Sequence, residues 1–183
     1  MKALSRRWTG PSTILHQYAI DDNWQGIQKL LAQGHDANET SGRYQSTALH
    51  YAAHHGSINS VKLLLAGGAK IDRVDQRGLT PLLIALKKEK FSVIKYLILK
   101  GASLNVRYPD GRAVLHYVCT LGLIDVLLLL ISKGADLNCR TTKQMRTALH
   151  LAAIRNNKIT CELLSRHGAL MDLVDARAIG DND

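Results

Sequence analysis

The chain repeats one short phrase five times at a nearly constant interval. The phrase starts at positions 13, 47, 80, 113 and 147, so the starts are separated by 34, 33, 33 and 34 residues, and a glycine stands twenty-one positions after each start. A fixed period in this range is typical of an array of stacked structural units, which constrains both the fold and the class of function. The phrases and their glycines are Thr13-Ile-Leu-His16 with Gly34, Thr47-Ala-Leu-His50 with Gly68, Thr80-Pro-Leu-Leu83 with Gly101, Ala113-Val-Leu-His116 with Gly134, and Thr147-Ala-Leu-His150 with Gly168.

Each phrase predicts the start of a helical hairpin. In the third copy the Thr80 hydroxyl can cap a helix, and Pro81 suits the first helical position, where a missing N–H costs nothing. In the second copy apolar residues recur at helical spacing on both sides of a break at residues 56–57, which predicts two short amphipathic helices. The glycine after the second helix can take the left-handed conformation that ends it. One such unit has too little core to be stable alone, so neighbouring units are expected to bury a continuous apolar spine.

The opening of the third copy, Asp75-Gln-Arg-Gly-Leu-Thr-Pro-Leu82, resembles the opening of the ankyrin repeat, and the resemblance covers nearly the whole chain. It implies an all-α fold, an ankyrin-repeat solenoid of stacked helix-turn-helix units with β-turn or hairpin tips, with about five repeats and a partial sixth. We expect a single ankyrin-repeat domain over residues 1–183. The expected repeats are residues 8–40, 41–74, 75–107, 108–141 and 142–174, followed by a partial C-terminal cap at 175–183.

The two ends of the repeat array depart from the pattern. The first copy carries Gln25, Gln28 and Lys29 where the family often has apolar residues, which fits a terminal repeat whose outer face meets water. The segment Leu173–Ile179 begins a sixth turn and stops. That segment is expected either to cap the stack or to be the remnant of a longer protein.

Composition and targeting signals favour an intracellular protein without membrane insertion. Residues 1–11 are basic and lack the apolar core of a secretory signal, and no apolar run approaches the ~20 residues needed to cross a bilayer. The three cysteines, Cys119, Cys139 and Cys161, stand at unrelated positions of different repeats and cannot all pair, which favours a reducing compartment. The expected localisation is cytoplasmic, nuclear or both.

Signals for catalysis, cofactors or metals are absent from the sequence. Its cysteine spacings contain no Cys-x-x-Cys motif, and there is neither a glycine-rich phosphate loop nor a nucleophile elbow. Asp21 and Asp22 are a carboxylate pair, but no base or nucleophile is placed beside them by sequence. We therefore expect a protein that is not an enzyme and has no catalytic, cofactor-binding or metal-binding residues.

Four of the eight histidines occupy the same position of the repeat, namely His16, His50, His116 and His150. The resemblance implies a structural role for them, because the family uses this histidine to bond the backbone of the neighbouring turn. Leu83 replaces the histidine in the third copy, so that junction is expected to lack the bond.

The turn between the two helices of a hairpin favours glycine, which is present as Gly56 and Gly122. Asp22, Glu89 and Asn156 stand there in the other three copies. Asn and Asp tolerate the left-handed region better than Glu does. We expect Glu89 to reshape this turn. The change is either backbone strain without a function or a local adaptation for binding, and we favour the first interpretation.

The resemblance also implies a concave binding surface, made by the turn tips and the exposed side of each first helix. Nine of the 28 positions mapped to it are Lys or Arg and two are Asp, against 24 basic and 15 acidic residues in the whole chain. Exposure alone would predict charges of both signs, so this nearly single-signed groove is expected to steer an acidic partner, with apolar and aromatic anchors among the charges. The candidate partner-binding residues are Arg43, Tyr44, His54, His55, Arg77, Leu79, Lys87, Lys88, Arg112, Leu121, Lys143, Arg146, Ile154 and Arg155. The mapping further includes Thr9, Gly10, Ser12, Ile20, Asp21, Ser46, Gln76, Pro109, Asp110, Thr120, Gln144, Ala176, Arg177 and Ile179.

Protonation is expected to modulate this groove. His54 and His55 form a pair on it, and their protonation below about pH 6.5 would add positive charge and make binding pH-sensitive.

These features predict a non-catalytic protein–protein interaction module, an adaptor or regulatory subunit that presents a basic groove to an acidic protein surface. The chain is similar to the small ankyrin-only proteins, a group that includes inhibitors of cyclin-dependent kinases, which suggests a kinase or cell-cycle complex as the partner. The alternative is a nucleic-acid-associated protein that binds the phosphate backbone through the same groove, consistent with the net charge of +9. Two Trp, one Phe and six Tyr without regular spacing count against base stacking.

Overall fold

The structure is a computed structural model of the 183-residue chain and describes residues 13–170. The chain divides into two compact units, unit 1 up to Val93 and unit 2 from Ile94 onward. The expected residues 8–12 of the first repeat, residues 171–174 of the fifth, the cap at 175–183 and the segment Leu173–Ile179 lie outside the described part of the chain. The single-domain organisation stays a prediction.

Residues 13–170 form ten α-helices and two very short strands, which confirms the predicted all-α class. The helices come in pairs, and the strands form an antiparallel hairpin at one turn tip. In chain order the elements are α1 (Ile14–Ile20), α2 (Trp24–Ala32), β1 (Thr40–Ser41), β2 (Ser46–Thr47), α3 (Ala48–His55), α4 (Ile58–Ala66), α5 (Pro81–Lys87), α6 (Phe91–Leu99), α7 (Val114–Leu121), α8 (Ile124–Ser132), α9 (Ala148–Ile154) and α10 (Lys158–Arg166).

The first helix of every pair begins one residue after the start of the repeated phrase. In α5 the Thr80 hydroxyl accepts a hydrogen bond from the Leu83 N–H at 3.3 Å, and Pro81 is the first helical residue, as predicted. Thr147 caps α9 in the same way through the His150 N–H at 3.4 Å. These caps satisfy backbone donors that the first helical turn leaves without partners.

Every inter-helix turn passes through a left-handed residue, whatever the side chain. The φ angles are 53° at Asp22, 86° at Gly56, 54° at Glu89, 67° at Gly122 and 54° at Asn156. The turn at Glu89 therefore keeps the common backbone and is not reshaped. Its side chain is exposed, so the packing of the repeats holds Glu89 in a conformation that Glu disfavours.

Replacing Glu89 by glycine is expected to stabilise the fold. A left-handed non-glycine residue costs roughly 1–2 kcal/mol, and glycine would remove this cost. Glycine also gives the unfolded chain more conformational freedom, which offsets about 0.4–1 kcal/mol of the stabilisation. Thermal unfolding should show Glu89→Gly more stable than the parent by about 0.5–1 kcal/mol.

Asp22→Gly is the matched contrast, because Asp22 has nearly the same φ but a bonded carboxylate. Its Oδ1 accepts from the N–H and the hydroxyl of Ser60, both at 2.8 Å, and its Oδ2 accepts from the Asn59 amide at 3.1 Å. Losing these bonds should destabilise unit 1 by about 1–3 kcal/mol. A Glu89→Gly variant less stable than the parent would show that the Glu89 side chain contributes more than its backbone strain costs.

The core of unit 1 lies between the first helices of successive repeats. α1 packs against α3, and α3 packs against α5. The leucine of each phrase, Leu15, Leu49 or Leu82, is at most 1% exposed between them. Burying one such side chain stabilises the fold by about 1.5–3 kcal/mol. Alanines, among them Ala52 and Ala53, let the helices approach closely.

Unit 2 repeats this packing with its own helices. α7 packs against α8 and α9, and α9 packs against α10. Val118, Leu127 and Leu130 are buried at their centre. An exposed ion pair joins Lys95 Nζ to Asp125 Oδ2 at 2.9 Å on the outer helices, where solvent screening leaves it about 0–1 kcal/mol of stabilisation.

Buried histidines link each turn to the next within both units. The His50 Nδ1 accepts from the Thr47 N–H at 3.1 Å, while its Nε2 donates to the Leu79 carbonyl at 3.1 Å. His116 makes the same two bonds, from the Ala113 N–H at 3.0 Å and to the Arg146 carbonyl at 3.1 Å. These partners fix the neutral tautomer that carries its proton on Nε2.

The remaining two positions of this histidine series show parts of the same arrangement. The His16 Nε2 lies 3.2 Å from the carbonyl oxygens of Glu39 and Ser46. The His150 Nδ1 accepts from the Thr147 N–H at 3.2 Å. Leu83, which replaces histidine in the third copy, is fully buried, and its side chain has no polar atom for such a bond.

Candidate partner-binding surface

The turn tips are tight loops, and a backbone pair closes the base of each loop. The loop between the paired residues holds three residues in the third and fourth copies and four in the second and fifth, which accounts for the two 34-residue intervals. A left-handed residue stands two positions before the cap in each tip, with glycine in the short loops and Gln45 or Met145 in the long ones. The closing pairs are Ser41 with Ser46, Asp75 with Leu79, Tyr108 with Arg112, and Thr141 with Arg146.

In unit 1 the aromatic ring of Tyr44, at the turn tip of the second copy, makes cation–π contacts with two arginines. The Tyr44 ring lies 4.4 Å from the Arg77 guanidinium carbon and 5.8 Å from that of Arg43. The Tyr44 carbonyl also accepts from the Gln76 N–H at 2.9 Å. Since Tyr44 remains 39% exposed, this cluster offers both a cationic and an aromatic contact to a partner.

Arg77 is anchored from below by a buried carboxylate. Its Nε and Nη2 donate to Asp75 Oδ2 at 2.8 and 2.6 Å, and the Asp75 side chain is fully buried. Asp75 Oδ1 accepts from the backbone N–H groups of Arg77 and Leu79. Arg77 thus neutralises Asp75, and reversing its charge would place two carboxylates together in the fold.

Leu79 is not an exposed contact, and this corrects the sequence-based expectation. It is 5% exposed, because the closing position of the tip turns inward to join the helix cap, where its carbonyl accepts from His50. Ser46, at the same position of the second copy, is buried as well. Both residues support the tip, and neither can serve as a partner contact.

The helix ends of unit 1 complete its basic face, which comprises Arg43, Tyr44, His54, His55, Arg77, Lys87 and Lys88. Lys87 and Lys88 are exposed at the end of α5. The rings of His54 and His55 lie 4.7 Å apart at the end of α3.

The imidazoles of this face resist protonation. Burial is the largest cause that lowers the pKa of His54 to about 4, followed by the neighbouring charges of Lys88, His55, Arg77 and Lys90 in that order. Burial and Lys90 also lower the pKa of His55, against the opposing effect of Asp21. The expected gain of positive charge on this face therefore requires a lower pH than the ordinary pKa of 6.5 suggests, and for His54 it centres near pH 4.

In unit 2 the predicted residues surround one depression of about 410 Å³, here called the cup. Its lining combines four basic side chains, one acid, two threonines and two aliphatic residues with one amide. The lining residues are Asp110, Arg112, Thr120, Thr141, Lys143, Gln144, Arg146, Leu151, Ile154 and Arg155.

Two arginines of the cup are held in place by neighbouring side chains. Arg112 Nε lies 3.2 Å from Asp110 Oδ2, and its guanidinium carbon lies 5.0 Å from the Tyr117 ring. The Tyr117 hydroxyl also donates to Asp110 at 3.2 Å, so the carboxylate fixes both groups. Arg146 Nη1 donates to the Gln144 amide oxygen at 3.1 Å. Such restraint reduces the entropy lost when a ligand binds.

Part of the remaining cup lining is exposed to solvent. Lys143 and Arg155 are exposed, and Ile154 is 59% exposed beside the half-buried Leu151. Leu121, another predicted contact, is exposed at the end of α7 but does not line the cup.

Thr141 and Leu151 were missed by the sequence mapping. Leu151 stands three residues before Ile154 on α9, a spacing that places both on one helix face and could have revealed it.

Positions mapped at the two ends of the chain, Thr9, Gly10, Ser12, Ala176, Arg177 and Ile179, lie outside residues 13–170. Over that described range no group of three or more His, Cys, Asp or Glu side chains is arranged to hold a metal ion. Nor does any helix within it have the length and apolar character to cross a membrane.

Comparison with known proteins agrees with the repeat architecture. A family model described as ankyrin repeats (3 copies) matches residues 15–108, 58–141 and 82–175. The chain is similar to the B-cell lymphoma 3 protein homolog of Mus musculus, with 37% identity over 49% of this chain and 20% of that protein. It is 29% identical to the putative ankyrin repeat protein FPV232 of Fowlpox virus over 94% of this chain and 34% of that protein. Neurogenic locus notch homolog protein 1 of Homo sapiens is 32% identical over 82% of this chain and 6% of its own length. The chain thus spans about a third or less of each relative.

Proposed function

This chain belongs to the ankyrin-repeat family, whose repeats mediate protein–protein interaction, and on that premise we propose that it is a non-catalytic adaptor or regulatory subunit that binds an acidic protein surface. The binding elements are the basic face of unit 1 and the cup of unit 2. A kinase or cell-cycle complex inside the cell is the narrower partner class, suggested by the similarity to small ankyrin-only proteins.

The observation that carries this proposal is the excess of positive charge on both surfaces. Unit 1 presents Lys87 and Lys88 beside the two arginines at Tyr44, and the carboxylate of Asp75 within that cluster is buried. The cup has four basic side chains, and its one acid is already paired with Arg112. Concentrated positive charge attracts an acidic surface over about 8 Å at physiological ionic strength.

The test is charge reversal at exposed bases that carry no structural ion pair. We choose Lys87→Glu, Lys88→Glu, Lys143→Glu and Arg155→Glu in one variant, and leave Arg77 unchanged because it neutralises Asp75. The control variant carries Lys29→Glu, Lys70→Glu, Lys133→Glu and Lys158→Glu, four exposed bases outside the two surfaces. Both variants change the net charge equally.

Affinity capture from nuclease-treated lysate should recover an acidic protein with the parent and the control, and lose it with the surface variant. Four lost charge contacts at about 0.2–1 kcal/mol each imply a weakening of roughly fourfold to a thousandfold. If both variants lose the captured protein equally, binding depends on net charge alone. If both variants retain it equally, the two surfaces are not the binding site. Recovery of nucleic acid alone would favour the phosphate-binding alternative.

A further inference from the structure

The cup of unit 2 combines charge with an apolar floor, which a purely electrostatic site does not need. Leu151 and Ile154 form the apolar part, and Ile154 is 59% exposed in the unbound protein. Exposed aliphatic surface gains free energy when a partner covers it, at about 25 cal/mol per Å². The cup is therefore suited to a ligand with both acidic and aliphatic groups.

The basic rim of the cup suits carboxylates in particular. Arginine guanidinium groups bind carboxylates through paired hydrogen bonds, and Arg112 and Arg146 are already oriented by Asp110 and Gln144. Lys143 and Arg155 add exposed positive charge. Since Asp110 is the single acid of the lining and is paired, an incoming carboxylate meets little repulsion.

The size and composition of the cup distinguish a peptide from a nucleic acid. A volume of about 410 Å³ lies within the range of roughly 300–1,000 Å³ typical of ligand pockets, and exceeds what one carboxylate requires. None of its ten lining residues is aromatic, whereas single-stranded nucleic acids are bound by stacking their bases on aromatic rings.

We propose that the cup binds a short segment of the partner in which an aliphatic side chain is flanked by acidic residues. The aliphatic side chain packs on Ile154 and Leu151, and the flanking carboxylates pair with Arg112, Arg146 and Arg155. This inference rests on the proposed function, because it specifies the chemistry that one of the two surfaces recognises.

Three synthetic peptides test this directly on the full chain by isothermal titration calorimetry. The probes are acetyl-Glu-Glu-Leu-Glu-Glu-amide, its central Leu→Ala analogue, and its analogue with four Gln in place of Glu. The leucine peptide should bind about tenfold more tightly than the alanine peptide, because each buried CH₂ is worth about 0.8 kcal/mol and burial in an open cup is partial. The glutamine peptide should show no measurable binding.

Two matched variants test whether the preference for the leucine peptide over the alanine peptide arises in the cup. Ile154→Ser should reduce the tenfold preference for leucine to less than about threefold, since the apolar contact is lost. Ile159→Ser is the control, because Ile159 is a similarly exposed isoleucine on α10 that does not line the cup, and it should leave the preference unchanged.

The outcomes separate this inference from the proposed function. Equal binding of the leucine and alanine peptides, or no binding of the leucine peptide at millimolar concentration, would overturn the cup's aliphatic specificity. Either result is compatible with capture of an acidic protein that the surface charge-reversal variant loses. If that variant keeps the captured protein, the proposed function fails whatever the peptides do.

Discussion

Gly111→Ala is expected to lower the free energy of unfolding of unit 2 by about 2–5 kcal/mol. Gly111 has a φ of 84°, where a non-glycine residue costs roughly 1–2 kcal/mol. An added Cβ would also overlap the Thr142 Oγ1 and lie 2.8 Å from the Thr142 Cβ and 3.0 Å from its backbone nitrogen. Overpacking of this kind adds about 1–3 kcal/mol.

Gly134→Ala is the matched control for this substitution. Gly134 also belongs to unit 2 and has a φ of 74°, but an added Cβ there meets nothing within 4 Å. Thermal unfolding with hydrogen exchange read in unit 2 should show Gly111→Ala as the less stable variant. Adding Thr142→Gly should restore the steric part of the loss. Equal unfolding temperatures for the two alanine variants would contradict the predicted steric cost. They would show that the turn tips of the fourth and fifth copies can move apart with little loss of stability.

The unfolding temperature is expected to fall steadily between pH 6.5 and 4.5, before most carboxylates titrate. Burial lowers the pKa of five histidines, His16, His50, His54, His55 and His116, below the ordinary value of 6.5. The unfolded chain then binds more protons than the folded one, so the free energy of unfolding rises with pH in this window. The stabilisation is complete above about pH 6.5 and is lost as pH falls toward the folded pKa, about 4 for His54.

The structural reason is clearest at His50 and His116, where protonation has a local cost. Their Nδ1 accepts a backbone N–H, so a proton on that atom removes the acceptor and leaves two donors facing each other. Circular dichroism melts at pH 7.5, 6.5, 5.5 and 4.5 measure the effect. His54→Gln should flatten the dependence between pH 6.5 and 5. A parent melting temperature constant over that interval would contradict the assigned burial of these imidazoles.

The repeat phrase predicted most of the fold because its signals are local. Thr80 and Pro81 specify a helix start, and the glycine after each second helix specifies a stop, so neither depends on distant contacts. The backbone at Glu89 could not be predicted from its own preferences. Packing of the flanking helices imposes the left-handed turn there, and a tertiary constraint of this kind overrides local propensity.

The candidate surface was predictable in composition and less so in geometry. Mapping by repeat position brought Arg112, Lys143, Arg146 and Arg155 together, and the cup does contain all four. The prediction was wrong at Leu79 because it treated every residue of a turn tip as exposed. The Leu79 side chain instead faces inward, directly before the helix cap Thr80. Arg112 and Arg146 stand at that same position and are half-buried, their backbone closing the tip while their side chains reach the cup.

The histidine links give the chain a built-in polarity. Each link runs forward, from an imidazole N–H in one copy to a carbonyl in the next, as from His50 to Leu79 and from His116 to Arg146. A copy that loses its predecessor keeps a carbonyl that water can solvate at little cost. A copy that loses its successor keeps a buried imidazole donor with no acceptor, a loss worth about 1–3 kcal/mol. The second and fourth copies therefore respond unequally to truncation on their two sides, since each is bonded through its histidine to the copy that follows it.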